Sequence, residues 1–416
     1  MIWNETFTKH LVEDIHLIKH EADPCLFTKT DAKGEINCIA SIYIDDAVIG
    51  GPSEIVNAIK NKMKARFSIK DLGIAKHVIG IQVEQLSEGT LLSQQSYIEE
   101  IIELTGQKDS NTLLTPMSSD DPVYSMVRTP ENEGDTLFKK LDADEHHEYR
   151  EYIGKLMYLM VCTRPDIAFA VNFLARACAS PEKQHAYAVL KLVRYLKSTK
   201  KLGLFYPALR AGDQVKVDLL GYVDSAFADC KESRKSTGGY VTLLNGSPLT
   251  WKSCRQTVVT TSSTEAEYVA ACDGTKEVMW LRNLLEGISH PSSTPTILFE
   301  DNNSCIAQSE NPLHHKRTKH IDVYYHFTRQ MVKEGIVKLI KIDTIDQVAD
   351  MLTKSLSKVL LDKHLTSLHM RETKVIATHG GADAPMNELI RNLSGAAFSL
   401  NSDGADSREI IAVSSR

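Results

Sequence analysis

The spacing of the apolar residues changes at Val215, and the pattern beyond it constrains the fold more than any other part of the chain. Short stretches that alternate apolar and polar residues predict strands, whereas longer stretches with a period near 3.6 predict helices. Their order is three strands, helix, strand, two helices, strand and helix. That order is typical of a mixed five-stranded sheet flanked by helices, an α/β (α+β) fold class. The strands are predicted at 215–224, 239–245, 249–253, 296–300 and 336–342, and the helices at 264–286, after Asn302, at 322–333 and at 346–356.

The charged residues divide the chain. Its 48 lysines and arginines and 54 acids give a formal net charge of −6. Between Asp109 and Arg150, ten acids oppose four bases, so this stretch carries the whole excess and the remainder sums to zero. The stretch contains three prolines and shows no sustained periodicity, which predicts a solvated linker. The total charge therefore does not exclude an anionic partner for the structured parts.

Five segments follow from these patterns. Before the linker, a hairpin at 37–51, a helix at 53–67, a second strand pair and a short helix predict a first α+β unit. From about Glu372 onward the periodicity fades, so we expect a poorly ordered end. The predicted segments are the first unit (1–108), the acidic linker (109–148), a helical connection (149–210), the mixed-sheet domain (211–358) and a tail (359–416).

Composition excludes several classes of protein. No run of eighteen apolar residues is present, so no spanning helix and no membrane partner is expected. The first residues lack the basic start and apolar core of a secretion signal. The eight cysteines are scattered without a C-x-x-C pair, which favours reduced thiols over a disulfide scaffold or a zinc site. We expect a cytoplasmic or nuclear location and no small-molecule cofactor.

Four carboxylates of the second half are candidates for catalysis. Asp224 and Asp301 each follow a predicted strand, Glu267 begins the long helix, and Asp350 lies near the start of the last helix. Four acids brought together repel one another unless cations neutralise them. Two Mg²⁺ ions bridged by a carboxylate are the usual arrangement for displacement at phosphorus.

Each of these acids also fits a purely structural role. Glu265 and Glu267 both lie three residues after a hydroxyl side chain, so either completes a capping box. The two point about 200° apart on a helix, and only one of them can face the sheet edge. Asp301 fits a helix cap and Asp350 a solvated helix position. The grouping of all four, at two strand ends and two helix starts, favours the catalytic interpretation.

A second pair of acids, Asp45 and Asp46, lies at the tip of the predicted hairpin of the first unit. Adjacent carboxylates at a tight turn hold hard cations such as Mg²⁺ in some proteins. An acidic pair in a solvated turn is the structural alternative.

Basic residues are concentrated late in the mixed-sheet domain. Between residues 311 and 341, seven bases oppose two acids, and four histidines and three aromatic residues lie among them. This composition favours a face that binds a polyanion, with bases on phosphates and aromatic rings at sugars or bases. A zinc site without cysteine ligands and a merely solvated helix face are the alternatives. The candidate nucleic-acid-binding residues are Lys316, Arg317, Lys319, His320 and Arg329.

Ordered short motifs resemble the Pol polyprotein of Ty1/copia-type retrotransposons over roughly residues 1–356. Tyr43-Ile44-Asp45-Asp46 resembles the Y-x-D-D box of the reverse transcriptase palm, whose aspartates bind the polymerase metals. Each motif alone is weak, but their order along the chain is specific. The others include GKLMYL (154–159), TRPDI (163–167), SRKSTGG (233–239), SSTEAEY (262–268), EDN (300–302), KHIDVYYHF (319–327) and ADMLTK (349–354).

The resemblance implies a partial reverse transcriptase palm in 1–108 and a ribonuclease H in 211–358. It implies that Asp224, Glu267, Asp301 and Asp350 hold two Mg²⁺ and favours Glu267 over Glu265. The implied substrate is an RNA–DNA hybrid, with other retroelement proteins as further partners. One ion would activate water and the other would stabilise the leaving 3′ oxygen.

Departures from the family pattern qualify these expectations. The family's third palm aspartate and its fingers should precede residue 1, so we expect polymerase activity to be lost unless a separate polypeptide supplies them. Asp224 is followed by Ser-Ala-Phe, where the family often has a second Asp and a Trp. The loop between Ile342 and Asp346 is too short for the mobile histidine of some ribonucleases H. The alternative function is an inactive remnant that binds nucleic acid weakly.

Overall fold

A computed structural model describes residues 2–44, 46–125, 134–208, 217–310, 322–372 and 408–414. The first unit is built on a twisted sheet with two helices, followed by a second strand group and a helix. Its elements are α1 (Ile2–Lys9), a π turn (His10–Asp14), β1 (Ile18–Lys19), β2 (Leu26–Thr30), β3 (Ile36–Tyr43), β4 (Asp46–Pro52), α2 (Ser53–Arg66), β5 (Lys70–Ile74), β6 (His77–Val78), β7 (Ile81–Leu86), β8 (Gly89–Ser93) and α3 (Gln95–Leu104).

The predicted hairpin at 37–51 is β3 and β4, which pair antiparallel with Tyr43 opposite Asp46. Alternate residues of β3 are buried, as expected for a strand with one face on the core. That face packs with residues of α2, including Val56 and Ile59. At the turn, Ile44 has a φ of 53°, which costs free energy for a β-branched residue.

The connection between the two halves is helical, as predicted, and begins earlier than expected. Its elements are α4 (Pro122–Ser125), a 3₁₀ turn (Thr136–Phe138), α5 (Ala143–Cys162), a 3₁₀ turn (Pro165–Ile167), α6 (Ala168–Ala175), α7 (Lys183–Ser198) and β9 (Leu202–Pro207). Asp142 caps α5 in a capping box with Glu145, so the helix starts inside the stretch assigned to the linker.

The prediction of a solvated linker at 109–148 is wrong for the part of it that lies along α7. Lys191 pairs with Asp121, which is 7% exposed. Arg194 donates to the carbonyl of Asn111 at 2.6 Å, and Lys197 donates to that of Ser110 at 2.7 Å. The bases of α7 thus hold a segment whose own sequence has no periodicity, which local patterning does not reveal.

The mixed five-stranded sheet predicted for the second half is present. Its order is β12-β11-β10-β13-β14, with β13 parallel to both neighbours and the other pairs antiparallel. The strand bounds differ from the predicted ones by a few residues. The elements are β10 (Leu219–Ala226), β11 (Thr237–Leu244), β12 (Ser247–Arg255), α8 (Ser263–Gly287), β13 (Thr296–Glu300), α9 (Asn303–Glu310), α10 (Asp322–Lys333) and β14 (Val337–Lys341).

The helix predicted at 346–356 is wrong. Two 3₁₀ turns, Thr344–Asp346 and Val348–Leu352, occupy this stretch. The side chain of Gln347 caps the second turn by accepting from Ala349 N at 3.3 Å, and its Nε2 donates to Val223 O at 2.9 Å. These bonds attach the turn to the end of β10 instead of continuing a helix.

The expectation of a poorly ordered tail at 359–416 is also wrong for its described parts. Helix α11 (Lys358–Ser367) is capped by Ser357, and β15 (Met370–Glu372) pairs with β9 in a sheet ordered β15-β9-β8-β7-β6. Strand β16 (Arg408–Ser414) lies between β4 and β5 in the first sheet. Long-range pairing of this kind leaves no local signal in composition.

Replacing Ala412 by Pro is expected to release β16 from the first sheet. Ala412 pairs with Val48 on one side and Gly73 on the other. Proline lacks the N–H and is accommodated only on edge strands. We expect a loss of about 1–3 kcal/mol of stability and faster proteolysis near residue 412, measured by thermal melts and limited digestion. Ala412→Val retains the N–H and should behave as the wild type; equal protease resistance of the proline variant would contradict the pairing.

In the described part of the chain, no helix is both long and apolar enough to cross a bilayer. All eight cysteines lie within the described ranges and none forms a disulfide.

Candidate active site

The register of two parallel strands brings the first two candidate acids together. Tyr222 of β10 pairs with Phe299 of β13, and their rings lie 5.0 Å apart between centroids. Asp224 and Asp301 each come two residues later along strands that run in the same direction. Both carboxylates therefore lie at the same edge of the sheet, where ligands commonly bind in sheets of parallel strands.

The third acid comes from the start of α8, which packs directly on β10. A Cβ on Gly274 would lie 2.6 Å from Val223 Cγ1, so only glycine permits this close approach. The ambiguity between the two glutamates is resolved by geometry. Glu265 accepts from Thr261 N at 2.6 Å and from Thr261 Oγ1 at 2.7 Å, which stabilises the start of the helix. Glu267 is left to face the sheet edge.

Three carboxylates form a group whose ligand atoms all lie within 4.8 Å of one another: Asp224, Glu267 and Asp301. Asp224 is 2% exposed and Glu267 is 6% exposed, whereas Asp301 is half-buried. Burial raises the pKa of Asp224, against the charge of Lys354. Burial, together with the charge of Asp224, raises the pKa of Glu267 well above its usual range. The group is therefore costly to ionise without a cation.

Asp350 joins this group through Asp224. It lies in the second 3₁₀ turn, is 2% exposed and is hydrogen-bonded to Asp224. Burial, followed by the charge of Asp224, raises the pKa of Asp350 to about 7. Thr353 Oγ1 donates to Asp224 Oδ2 and so connects the turn to the end of β10. A Cβ on Gly239 of β11 would lie 2.7 Å from Leu352 Cβ, which shows how closely the turn packs on the sheet.

A fifth carboxyl, Glu300, was not proposed from the sequence as a site residue. It ends β13, is fully buried, and accepts from Asn302 N at 2.9 Å. Burial, together with the charges of Asp224 and Asp301, raises its pKa to about 8 against the opposing effect of the Asn302 hydrogen bond. The sequence does indicate its burial, because Glu300 lies at every second position with Thr296 and Leu298 and so shares the core face of the strand with them.

The donor set fits a hard divalent cation. All ligand atoms are carboxylate oxygens, which Mg²⁺ and Mn²⁺ prefer over softer donors. Glu267 Oε2 is buried and has no hydrogen-bond partner among the described residues. A cation at this position would satisfy that oxygen and would stabilise the ionised form of each carboxyl. Charge of this kind can polarise water and offset negative charge on a phosphodiester.

The other predicted site residues are only partly described. Asp45 lies outside the described residues, and Asp46 opens β4 opposite Tyr43. Among the described residues, the group of three carboxylates at Asp224, Glu267 and Asp301 does not include Asp46. Arg329 lies half-buried on α10. The remaining predicted basic residues lie outside the described ranges: Lys316, Arg317, Lys319 and His320.

Comparison with known proteins identifies the class. The family described as reverse transcriptase (RNA-dependent DNA polymerase) matches residues 1–119. The chain is 34% identical over 374 residues to the retrovirus-related Pol polyprotein from transposon TNT 1-94 of Nicotiana tabacum, covering 88% of this chain and 27% of the relative. It is 32% identical over 346 residues to that from transposon RE1 of Arabidopsis thaliana, covering 83% and 22%. The chain belongs to the Ty1/copia-type retrotransposon Pol family.

The chain spans about a quarter of the length of these relatives. Among solved structures, it is similar to LC11-RNase H1 in complex with an RNA/DNA hybrid, at 15% identity and a TM-score of 0.26. That match covers 36% of this chain and 99% of the ribonuclease H chain. The fold is defined by the mixed sheet itself, with the strand order β12-β11-β10-β13-β14.

Proposed function

We propose that the domain from residue 211 to 358 hydrolyses the RNA strand of RNA–DNA hybrids with the help of divalent cations. The observation that carries the proposal is the convergence of Asp224, Glu267 and Asp301 at one sheet edge, with their oxygens within 4.8 Å. A buried cluster of acids destabilises the fold unless it serves to bind cations. Membership of the Pol family makes a nucleic acid the natural substrate class.

The acidic residues of the chain would bind two divalent ions. Asp224, Glu267 and Asp301 would hold one divalent ion, and Asp350 together with Asp224 would hold a second. When bound, the ions would supply an activated water and charge stabilisation at the leaving 3′ oxygen. Gln347 and Thr353 position Asp350 and Asp224 through bonds to β10, so the acids are arranged before substrate arrives.

Substrate selection would depend on shape and on the 2′-hydroxyls of the RNA strand. A protein distinguishes a hybrid from duplex DNA by these hydroxyls and by the width of the groove. We propose that the basic stretch at 311–341, including Arg329 on α10, binds the phosphates. The eight free cysteines suit a reducing compartment, the cytoplasm or the nucleus.

Asp301→Asn is expected to lower hydrolysis of a labelled RNA–DNA hybrid by about 100-fold or more, close to 3 kcal/mol of transition-state stabilisation. The amide keeps the size of the side chain but removes the charge that a divalent ion requires. Cleavage in Mg²⁺ would be followed on a gel, with duplex DNA and single-stranded RNA as competing substrates. Asp218→Asn is the matched control, because Asp218 is exposed and precedes β10 at the end opposite Asp224. Unchanged activity of the Asp301 variant would contradict the assignment.

An inactive remnant that binds nucleic acid weakly is the second candidate, since Asp224 is followed by Ser-Ala-Phe where the family often has a second Asp and a Trp. It would be favoured if the wild-type chain melts cooperatively yet cleaves no hybrid in Mg²⁺ or Mn²⁺. For polymerisation, we propose that this chain alone is inactive, because the family resemblance assigns it only two of the three palm aspartates, Asp45 and Asp46. Primer extension by the chain alone would contradict that proposal.

A further inference from the structure

A lysine lies inside the acidic cluster. Lys354 Nζ is 2.8 Å from Asp350 Oδ1; the Lys354 side chain is 37% exposed and that of Asp350 is 2% exposed. Burial lowers the pKa of Lys354, but the charges of Asp224, Asp350 and Asp301 outweigh it and raise the value. The charge of Lys354 is also the largest of the effects that lower the pKa of Asp224 and so oppose the effect of burial. The ammonium group therefore interacts with three of the four proposed ligands.

The backbone delivers this lysine to the cluster. Lys354 N donates to Asp350 O at 3.1 Å, so the chain that leaves the 3₁₀ turn brings the base back next to the acid. Thr353, between them, donates to Asp224 and fixes the turn against β10. An exposed pair at this spacing contributes little to stability. Here the acid is buried, and loss of the partner would leave an uncompensated charge.

We propose that, in the absence of substrate, the ammonium of Lys354 occupies the cation position beside Asp350, so that a divalent ion binds there only by displacing it. The three acids Asp224, Glu267 and Asp301 then hold the first ion, and the lysine excludes the second. A compact ammonium on a flexible four-carbon stem suits this role, because it can leave without a change of fold. The inference rests on the proposed function only in that the same cluster holds divalent ions.

Binding of Mn²⁺ to the substrate-free chain tests the inference, measured by electron paramagnetic resonance and, for Mg²⁺, by titration calorimetry. We expect wild type to bind one ion tightly and Lys354→Met to bind a second about 10-fold more tightly than wild type does. Lys354→Arg keeps the charge and should bind as wild type. Lys358→Met is the matched control, because Lys358 pairs with Asp362 at the same spacing on α11 and both side chains are exposed. Lys354→Gln replaces the methionine variant if that variant does not fold.

Stability in EDTA gives a second readout. Removing Lys354 should lower the melting temperature without metal, and Mn²⁺ should restore it, because either cation neutralises Asp350. Equal Mn²⁺ affinity of wild type and Lys354→Met, or a fall in melting temperature that Mn²⁺ does not reverse, would overturn the inference. Absence of any ion binding to wild type would instead overturn the proposed function on which the inference rests.

Discussion

Glu267→Gln is expected to reduce hybrid hydrolysis by about 1,000-fold, roughly 4 kcal/mol in the barrier, and to raise the melting temperature of the metal-free protein. The two effects have one cause. Burial and the neighbouring carboxylates make the ionised Glu267 unfavourable, which raises its pKa well above 4.5. A neutral amide of the same shape removes that repulsion, and with it a ligand of the proposed metal.

The stability gain should depend on pH. A carboxyl with a raised pKa in the folded state contributes fully to stability below its ordinary pKa and loses that contribution as pH rises toward the folded value. Wild type and Glu267→Gln should therefore melt alike in EDTA below pH 4.5, and the variant should become progressively the more stable one above it. Asp350, with its pKa raised to about 7, and Glu300, with its pKa raised to about 8, add to the same decline in both proteins.

Glu265→Gln is the matched control for this prediction. The two glutamates lie two residues apart on α8, but Glu265 accepts hydrogen bonds from Thr261 and takes no part in the metal group. We expect its replacement to cost about 1 kcal/mol of stability at the helix start and to leave hydrolysis nearly intact. The assignment of roles would be reversed if Glu265→Gln abolished activity and Glu267→Gln did not. Gel cleavage assays and thermal melts in EDTA measure both effects.

Part of this site could be predicted because its determinants are local. The strand periodicity ends near Asp224 and near Asp301, and parallel neighbouring strands place their carboxyl ends at the same edge of a sheet. Helix geometry shows that only one of Glu265 and Glu267 can face the sheet edge, but it does not show which one. The choice needed either the resemblance to the Pol family or the bonds of Thr261, which depend on how the preceding loop approaches the helix.

The remainder depends on contacts between distant parts of the chain. Nothing in the local sequence distinguishes Gln347 from a solvated residue, yet its amide donates a hydrogen bond to the carbonyl of Val223, 124 positions earlier. Lys354 reads as one base among many until the turn places it against Asp350. Strand β16 pairs with β4 across more than 350 residues. The burial of a side chain and the identity of its partner depend on the whole fold, whereas periodicity shows only which face of one helix or strand is apolar.

Arg164→Met is expected to destabilise the chain by about 3–5 kcal/mol, the largest loss of stability we predict. Arg164 and Asp166 both have fully buried side chains and form two parallel bonds: Nε to Oδ1 at 2.8 Å and Nη2 to Oδ2 at 2.7 Å. The guanidinium also donates to Thr199 O at 3.1 Å, and Tyr195 Oη donates to Asp166 Oδ2 at 2.7 Å. This network joins the turn after α5 to the end of α7.

Removing only the arginine leaves the carboxylate of Asp166 buried with its tyrosine partner alone, and that uncompensated charge is the source of the loss. The double variant Arg164→Met, Asp166→Asn should therefore be more stable than the single variant, because it leaves no buried charge unpaired. Arg150→Met is the control, because Arg150 is exposed on α5 and its loss should change stability by no more than about 0.5 kcal/mol. Urea melts give all three values. If Arg164→Met and Arg150→Met proved equally stable, the buried pair would not hold the helical connection together. Since α6 contacts β12 and the turn that carries Asp350, loosening the connection should also weaken metal binding at the active site.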